Sequence, residues 1–262
     1  MQLSLSLPKR EQALMQKTYA QLFAEHTGHP AHKWEWYFDI YDRHLSRFRG
    51  KAPRVLEIGV WQGGSLEIWE RYFGEGCRLT GIDINPVCLR NASDTIDIHI
   101  GDQGDPMFWD TFLFDREFDI ILDDGSHQSS DMVTTLLHCW PSLAAGGVLL
   151  FEDVHACYLE AEDSQNIFST TCNRMIDDLY HFWPRDKKPQ QTLFSSTLES
   201  ITFHDSITVL EKTLKTKPKH VKMALCAGSE PVSPSLQAAR ELYLEWKTTQ
   251  MPPSEPAQQR QP

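Results

Sequence analysis

Val55-Leu56-Glu57-Ile58-Gly59-Val60-Trp61-Gln62-Gly63-Gly64-Ser65 is a short apolar run that breaks into glycines and then opens an amphipathic stretch. Apolar residues bounded by glycine read as a strand, and the glycines as the tight turn into a helix. Leu66, Trp69 and Tyr72 continue at helical spacing over 65–73, which completes a strand–turn–helix unit. Outward from this unit the pattern recurs. Apolar runs at 54–58, 78–83, 96–100, 118–123 and 147–152 alternate with longer stretches, and Val133, Leu136, Leu137 and Trp140 repeat at helical spacing between the last two. The alternation predicts an α/β fold: a Rossmann-like, doubly wound, mainly parallel sheet with helices on both faces. Two further runs, 200–203 and 207–211, flank His204-Asp205-Ser206 and predict a C-terminal antiparallel hairpin at the sheet edge.

Composition bounds the possibilities. The 262 residues carry 25 Lys+Arg against 36 Asp+Glu, a formal charge of −11, which argues against a nucleic-acid partner. With 40% hydrophobic and 23% charged residues the chain is ordinary globular protein, long enough to bury a core without disulfides. The six cysteines are scattered, lack C-x-x-C spacing and follow no signal peptide, so they read as reduced thiols in a cytoplasmic protein. No apolar run is long enough for a membrane span.

In an open parallel sheet, ligands bind beyond the carboxyl ends of the strands. Here those ends are Glu57, Asp83, Asp102, Asp123 with Asp124, and Glu152 with Asp153. Single acids at such places commonly cap the following helix, but five strand ends out of five exceed what capping requires. At the first turn a dinucleotide needs glycine two residues after the first glycine, so that the backbone can approach the pyrophosphate; Trp61 stands there instead. The pattern is E-x-G-x-x-x-G, from Glu57 through Gly59 to Gly63. An acidic side chain there repels phosphate and suits a cationic amino-acid group, which favours S-adenosylmethionine over a nicotinamide nucleotide. Asp83 is placed for ribose hydroxyls, and Asp102 and Gln103 for an adenine amino group; Gly59, Gly63, Ser65 and Asp123 complete the candidate cofactor-binding set.

The fourth and fifth strands deliver Asp123-Asp124-Gly125-Ser126-His127 and Glu152-Asp153-Val154-His155 to one rim. Carboxylates that close need protons or a cation, and the all-oxygen set Asp124, Glu152 and Asp153 favours Mg²⁺ or Mn²⁺ over zinc. His127, three residues beyond Asp124, is the candidate general base, with His155 in reserve. Upstream, Trp34, Phe38, Tyr41, Leu45 and Phe48 form an apolar stripe at spacings of four and three, predicting a core-facing helix whose off-stripe Lys33 and Tyr37 could reach a ligand. His26, His29 and His32 read as a loop, since Gly28 and Pro30 interrupt any helix that would align them. The basic stretch 212–222 reads as a solvated face.

Taken together, these residues resemble the metal-dependent macrolide sugar O-methyltransferases of the mycinamicin and tylosin pathways, class I S-adenosylmethionine-dependent enzymes with cephalosporin-hydroxylase-like relatives. The likeness covers roughly 33–158, through HKWEWYFDIYDRHL, VLEIGVWQGGSLEIW, GIDINP, GDQGD, ILDDGSH and FEDVH. It implies Mg²⁺ on Asp124, Glu152 and Asp153, a base at His127, and cofactor contacts at Glu57, Gly59, Ser65, Asp83, Asp102 and Gln103. The chain departs from the family at Ala31-His32-Lys33, where a T-D-K-like lead-in is usual, and at Ala156-Cys157-Tyr158. The expected organisation is one methyltransferase domain over 1–250, with a helical cap at about 10–50 and a lid at about 154–199. The lid centres on a helix over 164–183 and a last helix begins at Ser233; 251–262 form a disordered tail. The expected reaction is methylation of one hydroxyl of a vicinal diol on a small molecule such as a sugar, and a homo-oligomer is the candidate assembly. The competing readings are a non-catalytic cofactor- or metal-binding protein and a nucleotide-dependent oxidoreductase or epimerase.

Overall fold

The computed structural model describes residues 16–159, 166–183 and 192–216, together with Glu241 and Glu245. Residues 1–217 form one compact unit and 218–262 a second. The helix expected from Ser233, the tail at 251–262, the first residues of the cap and parts of the lid lie outside the described residues.

Within the first unit, the elements are α1 (Tyr19–Ala24), α2 (Tyr37–Leu45), β1 (Arg54–Ile58), α3 (Gly64–Phe73), β2 (Arg78–Asp83), β3 (Ile96–Ile100), α4 (Pro106–Phe112), β4 (Phe118–Asp123), α5 (Ser129–Ser142), β5 (Leu143–Phe151), α6 (Ile167–Leu179), β6 (Leu198–Phe203) and β7 (Thr208–Lys212). A 3-10 turn, Val154–Tyr158, follows β5. The seven strands form one sheet in the order β3-β2-β1-β4-β5-β7-β6. The first five are parallel, and β7 joins β5 antiparallel and carries β6 at the edge. The expected sheet and hairpin are therefore both present.

Side-chain alternation explains why the strands read as continuous apolar runs. Val55, Ile120, Leu122, Val148 and Leu150 enter the core on one face, while Leu56, Ile58, Ile121, Leu149 and Phe151 enter the core on the other. Burial on both faces removes the polar alternation that a half-solvated strand would show. The first core is rich in aromatics: the Tyr19 ring lies 4.5 Å from Trp69 and 4.7 Å from Tyr41, fixing α1 and α2 over α3. Each such pair contributes about 0.5–1.5 kcal/mol beyond burial.

Two local expectations are corrected. The stripe upstream of β1 starts its helix only at Tyr37, so Trp34 lies on the lead-in and is 43% exposed instead of in the core. In the lid, Asn166 caps α6, its side chain accepting from Ser169 N, and the described helix runs from Ile167 to Leu179. The residues of the 212–222 stretch that the structure describes include a structural cation: the Lys212 ammonium donates to the carbonyls of Trp140, Pro141 and Leu143 at the end of α5.

Candidate active site

Chain order reverses across the sheet between β1 and β4, and the loops leaving these adjacent strands diverge to open a cleft at their carboxyl ends. Ile58 pairs with Asp123, and Asp124 N donates to Ile58 O at 2.9 Å, so the first glycine turn and the DDGSH segment lie side by side. Gly59 sits at φ +92, and a Cβ there would come within 2.0 Å of the Asp124 carbonyl oxygen. Only glycine lets the two loops approach this closely. Glu152 N donates to Asp123 O at 2.8 Å, bringing the end of β5 into the same rim.

The cleft has two chambers. One, of about 160 Å³, is lined by Ile58, Ile82, Asp83, Asp102, Gly125 and Ser126. The other, of about 540 Å³, is lined by His32, Trp61, Asp83, Asp124, His127 and Asp153. Gly59, Asp83 and Gly125 line both. Asp83 is fixed by its neighbours: Oδ2 accepts from Val60 N and Trp61 N at 3.0 Å, and Oδ1 from Asn85 N at 2.8 Å. Ser65 Oγ donates to Glu57 Oε1 at 2.6 Å, and Gly63, at φ +88, is the helix N-cap. At the position of the missing second glycine, Trp61 adopts φ 49 and is 55% exposed at the cleft.

Two of the sequence-predicted cofactor residues pair with each other. The Gln103 amide donates to both oxygens of Asp123 at 3.0 Å, and its carbonyl accepts from Ser126 N at 2.7 Å. Asp123 is fully buried, and burial pushes its carboxyl up to about 7. This pair braces the loop after β4, and Gln103 also lines the smaller chamber. The pairing follows from a buried acid needing donors, and Gln103 is the donor within reach.

The acidic rim contains its own cation. Lys33 Nζ, 3% exposed, donates to Asp124 Oδ2 at 2.6 Å and Glu152 Oε2 at 2.8 Å and lies 3.9 Å from Glu57 Oε1. Burial opposes the ammonium charge, but Asp124, Glu152 and Glu57 outweigh it and hold Lys33 well above its ordinary range. Burial also pushes Glu57 up to about 7 and Glu152 up to about 8, despite the lysine. One ammonium among four carboxylates, counting Asp153, leaves the site short of positive charge. Glu57 Oε2, Glu152 Oε1 and His127 Nδ1 are buried without a hydrogen-bond partner.

Facing that rim, Asp124, His127 and Asp153 each offer one ligand atom within 4.8 Å of the others. His127 Nε2 lies 3.9 Å from Asp124 Oδ1 and 3.7 Å from Asp153 Oδ2. Unpaired acceptors and a charge deficit in an oxygen-rich cluster fit a hard divalent cation. Asp124 and Asp153 stand ready to hold it. Glu152 lies deeper, on the lysine, with its second oxygen unclaimed.

Sequence reading set Tyr37 within reach of a ligand, but it put Trp34 in the core and used Trp61 only to exclude a dinucleotide. Tyr37 OH donates to Asp153 Oδ1 at 2.5 Å and Trp34 Nε1 to the same oxygen at 3.0 Å, while Trp61 walls the larger chamber. His26 and His29 are tethered to Glu67, with His29 Nδ1 2.6 Å from Oε1, whereas His32 lines the larger chamber. His155 Nδ1 is 3.8 Å from Asp153 Oδ1, farther from the cluster's other oxygens than His127.

Residues 56–154 match the protein family described as a methyltransferase domain. The chain is 32% identical over 201 residues to the 8-demethyl-8-alpha-L-rhamnosyl tetracenomycin-C 2'-O-methyltransferase of Streptomyces olivaceus, covering 70% of this chain and 52% of that one. It is 36% identical over 138 residues to the demethylmacrocin O-methyltransferase of Streptomyces fradiae, covering 48% of this chain and 34% of that one. Among solved structures it is similar to the MycE methyltransferase of the mycinamycin biosynthetic pathway, solved in complex with Mg and SAH. That match has a TM-score of 0.67 and 25% identity, covering 76% of this chain and 55% of the other. The chain spans about half the length of the first two curated relatives it matches. Residues 56–154 are thus similar to a methyltransferase domain, and the chain is similar to sugar O-methyltransferases of natural-product pathways and shares the class I methyltransferase fold.

Proposed function

We propose that the protein transfers a methyl group from S-adenosylmethionine to one hydroxyl of a vicinal diol, on a sugar of a natural product or glycan, with Mg²⁺ or Mn²⁺ at the acidic rim. The observation that carries this reading is the convergence of Asp124, His127 and Asp153 beside a chamber walled by Asp83 and Asp102. The named activities of the relatives and the Mg and SAH in the MycE complex support it.

In this reading Asp83 and Asp102 take the nucleoside in the smaller chamber, with Glu57 and Ser65 behind the glycine turn. S-adenosylmethionine brings an electrophilic methyl group on sulfur. Asp124 and Asp153, with Glu152 behind them, hold the divalent cation, which supplies Lewis acidity that makes a neighbouring hydroxyl easier to deprotonate. His127, which lines the larger chamber, accepts the hydroxyl proton at its imidazole as the oxygen forms its bond to the methyl carbon and the carbon–sulfur bond breaks. Products are the methyl ether, S-adenosylhomocysteine and the proton left on His127. Trp61 and His32 wall the larger chamber and limit water around the reacting atoms. Holding nucleophile and methyl in line accounts for several kcal/mol of the barrier, about 7–11 at most.

The five described cysteines are buried, and the scattered cysteine spacing of the sequence favours a cytoplasmic protein. Among the described residues no helix is long and apolar enough to cross a membrane. The test is a labelled-methyl assay on diol-bearing sugars and glycosides, with and without chelator. Transfer that persists at full rate after complete metal removal would refute the metal-assisted reading.

A further inference from the structure

Asp153 stands in the left-handed backbone region (φ 51, ψ 32), where a non-glycine residue is held only by its surroundings. What holds it comes from the far end of the sequence. Tyr37 OH donates to Asp153 Oδ1 at 2.5 Å, Trp34 Nε1 donates to the same oxygen at 3.0 Å, and Asp153 N donates back to the Tyr37 hydroxyl at 3.3 Å. The phenol thus closes a ring with the backbone and side chain of one residue. Tyr37 is buried, edge-on to Trp36 and Tyr41, so its hydroxyl has little freedom to leave. With Oδ1 claimed twice, Oδ2 is the oxygen left facing His127 Nε2 at 3.7 Å.

We infer that Tyr37 and Trp34 are positioning residues for the divalent cation: by occupying Oδ1 they make Asp153 a one-oxygen ligand and aim Oδ2 into the space shared with Asp124 and His127. The inference rests on the proposed ligand role of Asp153 and concerns what orients that ligand. Groups that hydrogen-bond to a metal ligand commonly control affinity by roughly 10–100-fold, because an unheld carboxylate rotates between productive and unproductive settings. Trp34 and Tyr37 also tie the segment before α2 to the end of β5, so the cap is anchored through the ligand it orients.

The test is Mn²⁺ binding to the full chain, without cofactor or acceptor, read by the paramagnetic resonance signal of free Mn²⁺. Tyr37→Phe keeps the ring and removes one hydroxyl; Mn²⁺ affinity is expected to fall about 10–100-fold. Trp34→Phe removes the indole N–H from a half-exposed position and moves affinity in the same direction. Tyr72→Phe is the control, since it deletes a buried hydroxyl that donates to the Asp42 carboxylate at 2.9 Å in the first core, away from the cleft. It leaves Mn²⁺ affinity unchanged while costing comparable thermal stability. Equal Mn²⁺ affinity in wild type, Tyr37→Phe and Trp34→Phe would overturn the inference with the metal reading intact. A wild type that binds no Mn²⁺ would overturn both.

Discussion

Replacing Lys33 by Met isolates the charge at the centre of the acidic rim while keeping the aliphatic stem. At an effective dielectric of about 20, an ammonium 2.6 Å from one carboxylate and 2.8 Å from another gains about 6 kcal/mol from each before desolvation is counted. Burying the ammonium costs several kcal/mol of that, and Lys33 is only 3% exposed, so solvent screening does not reduce the remainder much. Removing one partner of such a buried arrangement leaves Asp124 and Glu152 uncompensated, which costs about 3–5 kcal/mol. For a domain of this size the melting temperature then drops by about 6–20 °C. The sign with pH follows from Glu152, already pushed up to about 8 by burial and higher still without the lysine. A carboxyl whose folded pKa is raised stabilises below its ordinary pKa and loses that contribution as pH rises through the folded value. The Lys33→Met defect is therefore larger at about pH 8.5 than at about pH 6. Scanning calorimetry at both values, with and without excess Mg²⁺, checks the argument, and Mg²⁺ is expected to stabilise the variant more than wild type. If Lys33→Met melts with wild type at both pH values, Lys33 does not hold the acids together and the charge deficit inferred for the site is wrong.

Other consequences can be measured separately. His127→Asn, chosen because asparagine tolerates the left-handed backbone at φ 58, lowers kcat by about 10²–10⁴-fold. Calorimetric S-adenosylmethionine affinity stays near wild type, and an unchanged kcat would remove His127 as the base. Gly59→Ala forces a Cβ to 2.0 Å from the Asp124 carbonyl at φ +92, and stability in urea falls by about 2 kcal/mol or more, with cofactor binding lost alongside. A stable, binding-competent variant would mean that the β1 and β4 loops can separate freely. His44 Nε2 and His204 Nε2 lie 3.1 Å apart, and burial depresses both histidines, with Arg43 adding to the effect and Glu211 opposing it at His44. A depressed imidazole contributes stability above its ordinary pKa of about 6.5 and loses it as pH falls through the folded value. Stability is thus expected to drop on acidification below about pH 6.5, and His204→Gln to flatten that drop; an identical pH slope in the variant contradicts the assignment.

Much of this architecture was readable because burial on both sheet faces produces apolar runs of strand length. The expected runs at 78–83 and 118–123 coincide with β2 and β4, and the hairpin around His204-Asp205-Ser206 is where the alternation put it. The acids at the strand ends were legible for the same reason: a strand that stops being apolar at a fixed place shows its terminal residue. Lys33 and Tyr37 stood out as residues off the apolar stripe. Trp34 misled, because periodicity counts hydrophobicity without knowing where the helix begins. With α2 starting at Tyr37, the tryptophan falls on an extended lead-in whose direction no period governs. Gln103 was legible only in part, since a polar residue beyond a strand can face a ligand or a buried acid, and only the fold places Asp123 beside it.

Backbone strain was not legible at all, and it marks the site more sharply than composition does. Six described non-glycine residues have positive φ, and three of them, Trp61, His127 and Asp153, line the larger chamber. Each such residue costs about 1–3 kcal/mol unless its surroundings impose the conformation. The surroundings here are specific: the Asp83 carboxylate holds Trp61 N, and the Tyr37 hydroxyl holds both ends of Asp153. Strain of this kind converts a loop's freedom into a fixed direction for one side chain, which a reaction that depends on alignment requires. The turns at Trp61 and Asp153 would relax if these supports were removed, so the chemistry proposed for the cleft depends on residues that never touch the reacting atoms.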